Sequence, residues 1–84
     1  MYLKSLQPLS VSSIGYLEVI ANSTELLIVK ILDIRGHIAK TIIERIEHGN
    51  QRLSLNFCEL KSGSYVLNAF CGETFLKAIR FVKS

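Results

Sequence analysis

The sequence predicts an all-β domain, a sandwich or barrel of short strands. Three observations predict it. Turn-forming clusters recur at short, fairly even intervals: Gly15, Ala21-Asn22-Ser23, Arg35-Gly36, His48-Gly49-Asn50, Lys61-Ser62-Gly63 and Cys71-Gly72-Glu73. The runs between them are rich in Ile, Val, Leu, Phe and Tyr, residues that fit a pleated, half-buried surface. At 84 residues the chain has room for one core, and its intervals are too short for the crossover helices of parallel βαβ units.

Taken in order, the runs carry this prediction unevenly. Met1 to Ile20 is interrupted by Ser5, Gln7, Pro8, Ser10, Ser12 and Ser13. It has neither the unbroken apolar stretch nor the cleavage site of a signal peptide, so no export through the general pathway is expected from it. Glu25 to Leu32 is almost continuously apolar apart from Lys30, the pattern of a central strand buried on both sides. His37 to His48 is ambiguous. Ile38, Ile42 and Ile46 trace a helical stripe with Ala39 and Ile43 beside them, but their even spacing also puts them on one strand face. The β-branched isoleucines and the bounding Gly36 and Gly49 keep the strand reading open.

Arg52 to Phe57 is the cleanest strand: polar and apolar residues alternate, so Leu53, Leu55 and Phe57 share one face. Ser64 to Cys71 and Thr74 to Val82 are mixed, with Phe75, Ile79 and Phe81 on one parity and Leu76, Ala78 and Val82 on the other. Gly72 between them predicts a tight hairpin.

Composition excludes several classes of protein. No segment approaches the roughly 20 apolar residues of a membrane helix. The hydrophobic fraction of 49% argues against a disordered tail. The ten Lys and Arg exceed the seven Asp and Glu, but they are dispersed rather than gathered into the stripe that a nucleic-acid binder presents. Local density rises only at Lys77, Arg80 and Lys83. Solvated basic residues on strand faces explain the net charge of +3.

The residues of catalysis are not gathered either. His37 and His48 flank the ambiguous segment without Cys or Asp at ligand spacing. Asp33, Glu44, Glu47, Glu59 and Glu73 are scattered among turns and strand ends, and no phosphate-binding loop or nucleophile elbow occurs. Neither an enzyme nor a cofactor is expected. Cys58 and Cys71 lie at opposite ends of a strand, roughly 20 Å apart, well beyond disulfide reach. They read as free thiols, buried or half-buried.

One ordered series is more specific. The apolar run Val29 to Leu32 leads into Asp33-Ile34-Arg35-Gly36, followed by Gly49-Asn50, the alternating Leu53–Phe57 strand, Leu60-Lys61-Ser62-Gly63-Ser64-Tyr65, and a terminal Lys77–Lys83 strand. This series, spanning roughly residues 25–84 of a single domain, resembles the type A C-terminal sorting domain of the type IX, or Por, secretion system of Bacteroidetes. Leu6-Gln7-Pro8 stands where that family opens with a Tyr-Pro-Asn-Pro-like segment, so only the last proline matches.

Each motif has a physical basis. Asp33 can accept hydrogen bonds from turn N–H groups, and Gly36 can adopt the positive φ that closes the turn. Leu60 can plug the end of a sandwich where the chain crosses over. Gly63 permits a tight bend, and Tyr65 opens the next strand with an amphipathic ring.

The resemblance implies an immunoglobulin-like antiparallel sandwich of about seven strands, acting as an address rather than a catalyst. It further implies fusion to an exported cargo, passage through the periplasm, recognition by an outer-membrane translocon and removal by a cell-surface sortase. Recognition in the family's last strands maps onto Leu60, Gly63, Tyr65, Lys77 and Lys83. Turn and packing duty is the alternative for the glycine and tyrosine, and edge protection is the alternative for the lysines. A bacterial immunoglobulin-like adhesion or spacer module is the competing function.

Overall fold

A computed structural model describes residues 1–84. Eight strands follow one another without a helix: β1 (Tyr2–Gln7), β2 (Ser10–Val11), β3 (Ile14–Ala21), β4 (Glu25–Leu32), β5 (Ile38–Ile46), β6 (Gly49–Asn56), β7 (Gly63–Cys71) and β8 (Thr74–Lys83). They form a three-stranded sheet, ordered β1-β3-β6, and a five-stranded sheet, ordered β2-β8-β7-β4-β5. The fold is an immunoglobulin-like β-sandwich. In immunoglobulin lettering, β1, β3 and β6 take the places of A, B and E, and β4, β7 and β8 those of C, F and G. β5 stays beside β4 as a C′ strand.

The expected seven strands are present as full strands, and β2 is a two-residue continuation of the first across the sandwich. The chain changes sheets at the cis Gln7-Pro8 peptide. β2 then runs parallel to the end of β8, pairing Ser10 with Val82 and Val11 with Lys83, so the sandwich is not wholly antiparallel.

Alternation on the strands makes the core. Leu17, Val19 and Ala21 of β3 and Leu55 of β6 face Leu27, Val29 and Ile31 of β4 and Leu67 and Ala69 of β7, all at most 2% exposed. Phe57, Phe81 and Tyr65 close one end as a stack, with ring centroids 4.9 Å apart for Phe57–Phe81 and 5.7 Å for Tyr65–Phe81. Leu60, in the β6–β7 crossover, is buried as part of the core cluster.

The ambiguous segment is a strand, paired antiparallel with β4 from Glu25↔Ile46 to Leu32↔Ile38. Its isoleucines do not all share a face. The pairing shifts register between Ile31 and Leu32, leaving Ala39 unpaired in a bulge. Ile42 and Ile46 pack toward the core, whereas Ile38 turns outward opposite Leu32 and is 55% exposed. The even spacing that mimicked a helical stripe is broken by one inserted residue.

Two further expectations need correction. Gly15 is no turn: β3 runs through it, and a Cβ there would meet the Phe57 ring at 2.8 Å. It is glycine because the ring packs against its backbone. β4 is not buried on both sides. Leu27, Val29 and Ile31 are buried, but Ile28, Lys30 and Leu32 on the other face are half-buried and Leu26 is exposed, because no second layer covers that face.

Candidate functional site

The β4–β5 turn is built as its motif predicts. Asp33 Oδ1 accepts hydrogen bonds from the N–H groups of Arg35 (2.9 Å) and His37 (3.0 Å). The Asp33 N–H donates to the His37 carbonyl, and the Gly36 N–H donates to the Asp33 carbonyl. Gly36 has φ of 82°, a backbone state that strains any residue with a Cβ. The N–H of His37, then that of Arg35, hold the Asp33 carboxyl below its ordinary value of 3.8 despite some loss of solvation.

The second motif is a tyrosine corner. Tyr65 lies near the start of β7, and its Oη donates a 2.6 Å hydrogen bond to the carbonyl of Lys61, four residues upstream. This is the device that fixes the crossover into strand F of immunoglobulin-like sandwiches. Gly63, at φ of 155°, makes the bend between donor and acceptor.

These motifs converge at one end of the five-stranded sheet. Asp33, Gly36 and Tyr65 border a groove of about 690 Å³ on its outer side. Its apolar lining includes Leu9, Leu32, Ile34, Val66 and Val82, with Arg80 as its only basic residue. Sequence reasoning missed this groove because its walls come from separate places. Leu9 precedes β2 and Ile34 sits inside the turn motif, with exposures of 56% and 83%.

The remaining motif residues lie elsewhere. Gly49 and Asn50 open β6 at the opposite end, paired with Ala21 and Ile20. Lys77 reaches across the open side of the sandwich, its Nζ donating to the Lys4 carbonyl of β1 at 3.2 Å. Lys83 is 8% exposed and paired in register with Val11 and Gly63, so its side chain is not displayed at an edge.

Other polar groups serve the scaffold. Lys40 Nζ bonds the Asn56 carbonyl at 2.9 Å and forms an ion pair with Glu59, tying β5 to the other sheet. Both cysteines are free, and Cys58 is exposed rather than buried. Burial, then a hydrogen bond with Glu25, pushes the Cys71 thiol above its ordinary pKa. His37 and His48 are exposed, and no three His, Cys, Asp or Glu side chains come together as a metal site. No helix is long and apolar enough to cross a membrane.

The outer face of the five-stranded sheet continues beyond the groove. Strand parity puts Leu26, Ile28, Ile43, Phe70 and Phe75 on it, with Phe70 and Phe75 in edge-to-face contact at 5.6 Å. The charged residues that strand parity places on this face are Lys30, Arg45 and Arg80. Lys30 lies over the Phe70 ring at 5.4 Å, and Arg45 pairs with Glu47 beyond the strand end at 3.3 Å. Arg80 has no ionic partner. The three-stranded sheet differs: it balances Lys4 against Glu18 and lays Arg52 over the Tyr16 ring.

Comparison of the chain with protein-family models, with curated proteins and with solved structures returned no match.

Proposed function

We propose that this domain is a non-catalytic sorting signal of the type IX kind, which carries an exported cargo through the periplasm to the outer-membrane translocon. The observation that supports the reading is the convergence of its motifs. The D-x-x-G turn of Asp33 and Gly36 and the L-x-x-G-x-Y turn ending at Tyr65 border one exposed groove beside the last strand. A recognition function needs a displayed, rigid surface. An open apolar groove beside two hydrogen-bonded turns supplies one, whereas catalysis needs convergent titratable groups.

The test fuses residues 1–84 behind an exported fluorescent cargo in a Bacteroidetes host, with and without the translocon. Translocon-dependent arrival at the surface or in the medium is expected. Equal periplasmic retention in both strains overturns the sorting reading.

A second reading, an immunoglobulin-like adhesion or spacer module, is favoured by the tyrosine corner. The Tyr65–Lys61 bond gives L-x-x-G-x-Y a packing role that sandwiches of other function also use. Retention in the periplasm with an intact fold leaves this module reading in place.

A further inference from the structure

We propose that the groove on the five-stranded sheet docks a short apolar segment of a partner protein that carries a carboxylate to meet Arg80. The inference rests on the reading of the domain as a protein-recognition module, but not on the secretion route.

The occupant is identified by the chemistry of the floor. Within the sheet, Val66 stands opposite Arg80 on one side and Leu32 on the other, while Val82 lies two residues beyond Arg80. A single cation is therefore set among apolar side chains. It has no ionic partner, and the one carboxylate at the groove's border, Asp33, is engaged by the Arg35 and His37 N–H groups. Apolar contact and one acid are what this surface lacks.

Charge also decides against a second copy of the chain. By parity the outward residues of these strands include Lys30, Arg45 and Arg80, while Glu25 and Glu44 alternate to the other face. With Arg45 paired to Glu47, Lys30 and Arg80 remain as uncompensated cations, so two such faces brought together oppose like charges. A segment with an acid between apolar residues meets the same surface with complementary charge and covers Leu9, Ile34 and Val82, whose exposed side chains line the groove.

The test is a titration of the isotope-labelled domain with a synthetic peptide that presents Val, Asp and Val at alternate positions, with threonines between. Side chains at alternate positions of an extended segment share one face. Saturable shifts are expected at the backbone amides of Leu32, Val66, Arg80 and Val82. Replacing the peptide's Asp with Lys, or Arg80→Glu in the domain, is expected to weaken binding by roughly fivefold, since an exposed attraction becomes a repulsion of similar size.

No saturable shift, equal binding of the Lys peptide, or shifts on β1, β3 and β6 would each overturn the proposal. So would self-association through this face on sedimentation, or binding to anionic phosphatidylglycerol vesicles in preference to the peptide. The cargo experiment separates the two claims. Failed export with peptide binding intact removes the secretion route and leaves docking, while export without peptide binding removes docking and leaves the route.

Discussion

The Tyr65 hydroxyl is held 2.6 Å from the carbonyl of Lys61, and this one bond joins the crossover loop to the start of β7. The ring below it stacks on Phe81 of β8, so the loop is anchored through aromatic packing into the core. A part-buried hydrogen bond of this kind contributes about 1 kcal/mol net. Tyr65→Phe keeps the ring and deletes the donor, leaving the Lys61 carbonyl to water. Urea unfolding is expected to show a loss of about 1 kcal/mol with an unchanged m-value. Equal midpoints for the two proteins would show that the corner contributes nothing.

Gly15 provides a test of packing rather than of turn geometry. A Cβ at this position lies 2.8 Å from Cε2 of Phe57 and 3.2 Å from Cδ1 of Leu6, and both side chains are buried. Neither can retreat into solvent. Gly15→Ala is therefore expected to destabilise by about 1–3 kcal/mol through overpacking, even though alanine otherwise suits a strand better than glycine. Thermal unfolding followed by circular dichroism measures this directly, and a stabilised variant would refute the close approach.

These two residues show what was legible in the sequence. Tyr65 was readable in part: its place at the start of a strand follows from the local L-x-x-G-x-Y pattern, but its bond to the Lys61 carbonyl emerged only from the fold. Gly15 was misread as a turn because its constraint comes from Phe57, distant in sequence and brought close only by the sandwich. The β5 segment stayed ambiguous for a related reason. Even spacing of Ile38, Ile42 and Ile46 satisfies both helix and strand, and the bulge at Ala39 depends on pairing with β4. The groove was hidden in the same way, since Leu9, Ile34 and Arg80 come from three separated segments. Alternation within a strand is a local property, and it located Leu53, Leu55 and Phe57 correctly.

The Asp33 turn makes a prediction about acid. Its carboxylate accepts two backbone hydrogen bonds, first in effect that from His37, so the folded pKa lies below the ordinary 3.8. The folded state therefore favours the ionised form. That contribution is fully present above the unfolded pKa and is lost as pH falls through the folded value. Asp33→Asn retains a side-chain oxygen acceptor but has no charge to lose. Measured by urea unfolding, the stability gap between wild type and variant is expected to narrow as pH is lowered from about 5 to about 2. A gap that stays constant would show that ionisation of Asp33 does not support the turn.

The inward face of β6 gives the sharpest test of the sandwich itself. Leu55 is 2% exposed and lies against Gly15 of β3, while its neighbour Ser54 points to solvent opposite Tyr16. An aspartate at 55 places an unpaired carboxylate in the core, at a cost of several kcal/mol or a forced protonation. Total stability for a small domain is about 5–15 kcal/mol, and a chain this short sits near the lower end. Leu55→Asp is thus expected to abolish the cooperative thermal transition. Ser54→Asp, one residue away, is expected to melt within a few degrees of wild type, because its charge remains hydrated. The two variants have the same added charge and nearly the same sequence position, so only the face of the strand separates them. If both melt alike, whether intact or unfolded, then β6 does not divide core from solvent in this register.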